Sequence, residues 1–475
     1  MRIEWFKAQG FRSLRDVEID GLGPFNVFYG PNGAGKSNLL AAMQLLFSLL
    51  MDRARPEYSL VDPTAGWPPN LDARDRCQIA HGAPGMVLSA RLAWTENETN
   101  SGSKPSELRA LTVEVAHDWD RRIAHVSRLE ANHINLFTLQ PLKPYAREWT
   151  SWFKAARQRA IEFGERFDQR TYVLKWLGFP VEDQPTYLRR LQTVVRGAAS
   201  SAFMLINADR MPRPEQNTKG KQSIVELLTA GRLKEALLRA SKHPDRSIRE
   251  GYKALGQLLQ DPPFNQPPFE MTEDPETGRI ELVETVTDPA RGARDVPLDL
   301  VGLGVAQVYY ILARALLGNT RTAAIEEPEA HLHAPTTGIE LRQVLERLVN
   351  EGYLDQLFIA THSNLFDLDP DGYFDVSFDP ERGTQVQRKQ LDQIDIDHLY
   401  EPGPAKHILQ RLLRRMDENT VLFRRPDGSP ISIREMLELL QRDDPLAKEF
   451  LNDVHGAAVH AVRIKNKTPA PASET

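Results

Sequence analysis

Cysteine is nearly absent. Cys77 stands alone among 475 residues, which excludes an intrachain disulfide and any multi-cysteine metal site and fits a reducing compartment. No stretch approaches 18 uninterrupted apolar residues, so no membrane-spanning helix is expected. The opening MRIEWFKAQGF lacks the basic segment and apolar centre of a secretory leader. These absences lead to the expectation of a cytoplasmic chain with no membrane of its own. Positive charge is not in surplus either. Lys and Arg number 59 against 65 Asp and Glu, a net charge of −6, so any surface for nucleic acid has to be a local patch. Heptads do not persist through the middle of the chain, which argues against a long coiled coil.

The remaining composition is ordinary for a folded protein, with 41% hydrophobic and 26% charged residues in a chain long enough for two or three domains. Residues 2–30 read as short strands interrupted at Gly10-Phe11 and at 21–24, ending in the apolar run Phe25 to Tyr29. From Lys36 onward Leu39, Leu40, Met43, Leu46 and Leu50 recur at helical spacing. Three stretches between about 86 and 140 have strand character and are expected to form an antiparallel side sheet. Residues 145–260 read as mainly helical and charged. The Pro-rich run at 261–270 is expected to be a linker or loop that returns the chain to a strand at 280–286. Residues 374–391 predict a closing hairpin, HILQRLLRRM and REMLELLQ predict helices, and the polar NKTPAPASET predicts a disordered tail.

The strongest chemical signal is Gly30-Pro31-Asn32-Gly33-Ala34-Gly35-Lys36-Ser37 between a strand and a helix, which matches the Walker A pattern. Its glycines let successive amides face phosphate, the helix N-terminus adds its dipole, Lys36 reaches the terminal phosphates and Ser37 ligates magnesium. A second apolar strand, Thr322 to Ile325, runs into Glu326 and Glu327 and reads as Walker B. Here two adjacent acids serve two roles, Glu326 as magnesium partner and Glu327 as general base. The implied ligands are ATP and Mg2+.

Further motifs rest on resemblance. Asn38 makes the spelling GKSN of the SMC and RecF groups, EEPEAHLH resembles OLD-type ATPases, and Asp299 to Gln307 is similar to the ABC signature segment, with Gly302 in place of the usual serine. The chain thus resembles ABC-type P-loop ATPases of the SMC/RecF/OLD-like group. That resemblance implies that Gly302 and Gly304 approach the γ-phosphate of a partner subunit, and that His362, ending the strand Leu357 to Thr361, is the switch histidine. It also implies that Arg12, in Gly10-Phe11-Arg12-Ser13, faces nucleotide phosphate; the other reading of Arg12 is an ordinary exposed arginine. A Q-loop equivalent is either Gln140 or the segment Leu205 to Arg210. The HLH pair His331 and His333 lacks the further ligands of a zinc site.

The expected fold is α/β: a P-loop ABC-type ATPase head with an antiparallel side sheet, an inserted helical lobe and a C-terminal helical segment. Its expected parts are 1–145 with Walker A, 146–265 as the helical lobe, 266–395 with signature, Walker B and switch histidine, and 396–475 as the C-terminal segment. The resemblance implies a homodimer formed through an ATP sandwich, with room for a higher oligomer. It implies nucleic acid and a separate effector protein, a nuclease or toxin, as partners. Asp395 and Asp397 have DxD spacing without a matching upstream glutamate, so no nuclease of its own is expected. About 266 residues separate Lys36 from Gly302, more than a transporter nucleotide-binding subunit uses, which ranks transport below DNA-linked work in phage defence or repair and below a toxin-holding scaffold.

Overall fold

The structure is a computed structural model that describes residues 1–51, 83–94, 110–121, 123–131, 134–137, 146–162, 195–196, 199, 203–208, 222–229, 231–273, 280–288, 292–298, 303–318, 320–330, 332, 335–363, 372–389, 420–425, 429–441, 444, 446–447 and 450. In chain order, β1 (Arg2–Phe11), β2 (Leu14–Asp20) and β3 (Phe25–Tyr29) precede helix α1 (Lys36–Met51). Strands β4 (Gly85–Ala93), β5 (Ala110–Asp118), β6 (Ile123–Ala131) and β7 (Ile134–Asn135) lead to α2 (Ala146–Glu162) and β8 (Met204–Ile206). Helices α3 (Ile224–Thr229), α4 (Leu233–Ser241) and α5 (Arg246–Gln260) precede β9 (Phe269–Glu273), β10 (Ile280–Asp288) and β11 (Gly292–Pro297). Then come α6 (Leu303–Leu317), β12 (Thr322–Glu326), α7 (Pro335–Asn350), β13 (Gln356–Thr361), β14 (Gly372–Asp379) and β15 (Gly383–Lys389). Last are β16 (Val421–Arg424), β17 (Pro430–Ser432) and α8 (Ile433–Gln441).

Two six-stranded sheets organise the head. The central sheet has the order β15-β14-β3-β13-β12-β8, in which the five strands from β14 to β8 run parallel and β15 closes the edge antiparallel. Its inner strands β3, β13 and β12 are largely apolar because both faces are covered. Phe28, Ala324, Phe358, Ala360 and Phe374 face α1 and the second sheet, whereas Val27, Ala323, Ile325, Leu357 and Ile359 join the core made with α3 to α7. Adjacent residues enter opposite cores, as the two-residue strand period requires.

The second sheet, order β2-β1-β4-β5-β6-β7, is antiparallel. It shows the alternation of a sheet with one solvated face: along β5, from Ala110 to Asp118, intermediate and buried residues alternate without a break. α1 lies between the two sheets against β1, β4, β13 and β8. A buried glutamine stitches the sheets together. Gln356 on β13 accepts from the Ile3 amide at 2.8 Å, and its own amide donates to the Ile3 and Gly23 carbonyls, each at 2.8 Å. Asn26, fully buried on β3, is satisfied likewise by Gly23 and the Leu357 carbonyl.

The expected side sheet and the strand at 280–286 are present, and the expected closing hairpin is β14 and β15. Three expectations are sharpened by the structure. The segment 146–265 is not a separate helical lobe, because β8 within it pairs with β12 in the central sheet. The Pro-rich run at 261–270 is a loop held on the core rather than a free linker. Phe264 is buried in the helical-side core, and Phe269 packs edge-on against Tyr252 and Tyr309. The C-terminal part is not purely helical: β16 and β17 form a hairpin whose Ile431, with Ile433 and Met436 of α8, makes a small core of its own. HILQRLLRRM and the tail lie outside the described residues.

His117 on β5 is buried, its ring edge-on to Trp119 with centroids 4.5 Å apart. Burial pushes the imidazole down to about 4, against a smaller opposing pull from Asp118. The unfolded chain takes up this proton near pH 6.5 and the folded chain only near 4, so the stability is complete above that window and is lost as pH falls through it. His117→Phe keeps the ring pair and removes the proton site. It is expected to flatten the fall of Tm between about pH 6.5 and 4; parallel Tm profiles for the two proteins would assign that fall to other groups.

Candidate nucleotide site

The parallel register decides which loops meet. Tyr29 of β3 lies opposite Thr361 of β13, and Glu326 of β12 lies opposite Ala360. The chain therefore leaves three neighbouring strands at one level, at Gly30, His362 and Glu327. The Gly30 amide donates to the Thr361 carbonyl at 3.3 Å and the Glu327 amide to the Ala360 carbonyl at 2.7 Å, which ties all three exits to β13. Ligands of parallel α/β sheets bind at this carboxyl edge.

Between β3 and α1 the loop is closed behind and open in front. A side chain at Gly35 would meet Thr384 Oγ1 and Ser13 Oγ, and its φ of 104° is itself a left-handed conformation that favours glycine. Gly33, with φ of 82°, has nothing within 4 Å of where a Cβ would stand. Pro31, Asn32, Gly33 and Ser37 are exposed, so the loop presents backbone and the first turn of α1 to solvent. Lys36 is buried and donates to the Gly30 carbonyl at 2.6 Å and the Pro31 carbonyl at 3.0 Å. Desolvation lowers its pKa, and the negative charges of Glu327 and Glu329 draw it partly back. The ammonium thus spans the gap between the glycine loop and the acidic turn.

A polar brace holds the loop from behind. Thr384 of β15 donates from Oγ1 to the Ala34 carbonyl at 3.1 Å and shares a 2.7 Å hydroxyl contact with Ser13, while its amide donates to the Ser13 carbonyl at 2.9 Å. Asn38 on α1 donates to Ser13 Oγ at 2.7 Å and accepts from Arg12 Nη1 at 3.3 Å. Arg12 sits over the Phe11 ring at 4.9 Å with φ of 50°, in the turn between β1 and β2. The GKSN spelling therefore has a local reason, since Asn38 joins the N-terminal hairpin to the phosphate-type loop.

On the acidic side, Glu326 accepts from the Ala208 amide at 3.3 Å. Glu327 has φ of 41°, strained for a residue with a side chain. Its Oε1 lies 3.6 Å from His362 Nδ1, and Glu329 Oε1 lies 3.7 Å from the same nitrogen. Thr361 Oγ1 donates to Glu329. Burial raises the pKa of Glu329, opposed by the Thr361 hydrogen bond and by His362. Ser37 and Glu326 are hard oxygen donors, the set that magnesium prefers. Among the described residues no group of three or more His, Cys, Asp or Glu has the arrangement of a metal cluster, so a protein-only metal cage is not what this donor set offers.

The sheet thus brings Lys36, Glu327 and His362 together, with Glu326 on the neighbouring strand end. Gly304 lies in the first turn of α6, which packs on α3, α4 and α5. Gly302, Gln140, Asp209, Arg210, His331, His333, Asp395 and Asp397 lie outside the described residues. Of the two Q-loop alternatives, Leu205 to Ala208 lies beside Walker B. Arg121 pairs with Asp118 and Arg425 with Glu435. Sequence reasoning missed Glu329, Thr361, Ser13 and Thr384. The third acid of EEPE was a visible signal for Glu329; the two hydroxyl braces had none, because their partners lie hundreds of residues away.

Comparison with known proteins finds similarity to parts of several ATPase-type chains. A family model described as "AAA domain" matches residues 6–57, and one described as "AAA domain, putative AbiEii toxin, Type IV TA system" matches residues 202–369. The DNA replication and repair protein RecF of Acinetobacter baylyi is 46% identical over 46 residues, 10% of this chain and 13% of that protein. RecF of Citrifermentans bemidjiense is 43% identical over 49 residues, 10% and 14% of the two chains. The similarity spans only about an eighth of these relatives' length. Among solved structures, the SMC head bound to the C-winged helix domain of ScpA matches with TM-score 0.46 and 13% identity, covering 82% of this chain and 98% of that one. The SMC head domain from Thermotoga maritima matches with TM-score 0.39 and 14% identity, covering 82% and 100%.

The brace is testable. Thr384→Val keeps the shape and removes the hydroxyl, leaving Ser13 and the Ala34 carbonyl each without that partner. A stability loss of about 1–3 kcal/mol is expected, seen in urea unfolding as a lower midpoint at unchanged slope. An unchanged midpoint would show that the loop does not depend on this contact.

Proposed function

We propose that the chain is an SMC/RecF-like P-loop ATPase that hydrolyses ATP and uses ATP-dependent head dimerisation to regulate a nucleic-acid-directed process in anti-phage defence or DNA repair, acting with a separate effector or nuclease. The observation that carries this reading is the meeting of Lys36, Glu327 and His362 at the exits of three parallel strands.

In this mechanism Lys36 exchanges the Gly30 and Pro31 carbonyls for the β- and γ-phosphate oxygens, and the loop amides hold the remaining charge. Ser37 and Glu326 would hold magnesium, which would neutralise phosphate charge. Glu327 accepts the proton of the attacking water as the new oxygen–phosphorus bond forms and the bond to ADP breaks. His362 contacts the γ-phosphate and senses its loss. Gly302, together with Gly304 in the first turn of α6, serves the nucleotide of a second copy, so the γ-phosphate joins two heads. Arg12 supports the site through Asn38.

Scaffolding of a toxin partner without direct DNA binding is the second reading, favoured by the description of the family model that matches 202–369. Salt-sensitive DNA binding by the isolated protein supports the first reading; effector co-purification with no DNA binding supports the second. A transporter subunit ranks last, because about 266 residues separate Lys36 from Gly302, more than a transporter nucleotide-binding subunit uses.

Two variants test the core of the proposal. Lys36→Ala is expected to abolish nucleotide binding by equilibrium dialysis, and retained ATP affinity would count against the loop assignment. Glu327→Gln is expected to lower turnover by about 100-fold or more and to double the mass with ATP and magnesium in light scattering. Undiminished hydrolysis would remove Glu327 as the base, and a mass indifferent to nucleotide would remove the ATP sandwich.

A further inference from the structure

Glu329 is a carboxyl group in an expensive place. Its side chain is only 10% exposed, and of its two oxygens Oε2 is buried with no hydrogen-bond partner. Burying a polar atom without a partner costs free energy, and a packed apolar residue of similar size would avoid that cost. The one strong bond it makes is to Thr361, the last residue of β13, whose hydroxyl also accepts from the Ser363 amide at 2.9 Å. One side chain thus connects the turn after β12 to the end of β13, on either side of His362. His362 Nδ1 lies within 3.7 Å of both Glu329 and Glu327.

We propose that Glu329 is a positioning residue of the hydrolytic site: by holding Thr361 and flanking His362 it fixes the imidazole against Glu327, so that the switch histidine and the general base move as one unit. It touches neither the attacking water nor the phosphate. The inference rests on the hydrolytic reading above and adds a residue to it. Glu327 occupies a strained backbone position, with φ of 41°, and such a conformation persists only where its surroundings over-determine it. The 327–330 turn, closed by the Ala330 amide donating to the Glu327 carbonyl at 2.9 Å, is anchored to β13 at one end by the Glu327 amide and at the other by Glu329. Loss of the second anchor leaves the turn held at one point.

The test uses the full-length protein labelled with 13C at histidine Cε1, the His362 signal being identified by its loss in His362→Ala. Glu329→Ala is expected to displace or broaden that signal. It should lower kcat for ATP by about 10- to 100-fold, the scale of a displaced catalytic group, while the Kd for ATP changes by less than about three-fold. Glu329→Gln, which still accepts from Thr361, is expected to keep the His362 signal and to restore kcat to within about five-fold of the parent. Thr361→Val removes the other end of the same bond and should reproduce the Glu329→Ala spectrum, which keeps the test decisive if Glu329→Ala does not fold. An unmoved His362 signal in Glu329→Ala or Thr361→Val overturns the proposal, as does a Glu329→Gln protein as impaired as Glu329→Ala. If the parent protein binds ATP and never hydrolyses it, the hydrolytic reading fails by itself, and the His362 signal still decides whether Glu329 positions the imidazole.

Discussion

The parallel hydrogen-bond register of β3, β13 and β12 is the constraint on which the remaining site geometry depends. Side chains alternate across a strand with a period of two, so a slip of one residue would turn every side chain to the opposite face. Here both faces are buried in different cores, one with α1 and one with α3 to α7, and a slip would place Phe358 where Ile359 belongs. Packing on both sides therefore locks the register. The locked register sets Gly30, Glu327 and His362 at one height, and three segments more than 30 residues apart in sequence become one surface.

Charge placement at that surface follows from burial. Lys36 is withdrawn from water and rests on two carbonyls, while Glu327 and Glu329 act on it through space. The carboxylates are graded in exposure: the Glu327 side chain is 33% exposed and that of Glu329 10%. The more exposed acid is open to water, and the more buried one spends its bond on Thr361. A general base needs access, and a group that orients its neighbour does not. Glu327 and Glu329, two residues apart in EEPE, therefore sit at different depths because of the turn after β12.

Behind the glycine loop the same residues serve fold and site. Ser13, Asn38 and Thr384 come from the β1–β2 turn, α1 and the edge hairpin, and their hydrogen bonds close around Gly35. Gln356 performs the corresponding task at the opposite end of β13, joining the central sheet to β1. The first 30 residues are thus bound into the central sheet at both ends.

The amino-acid order by itself determined the strand-loop-helix around Gly30 to Ser37, the acidic pair after Thr322 to Ile325, and the alternating side sheet, because glycine geometry, carboxylate adjacency and two-residue periodicity are local properties. It also determined that Asn38 differs from an ordinary helix residue, without saying why. Only the tertiary structure decided that Met204 to Ile206 joins the central sheet, since its pairing with β12 depends on a segment distant in the chain. It likewise decided that Phe264 is buried core, that Thr384 braces the loop, and that Glu329 and Thr361 share a hydrogen bond. Those facts depend on which distant segments are brought within a few ångströms, and that proximity is set by sheet register and two-sided packing, which no local pattern encodes.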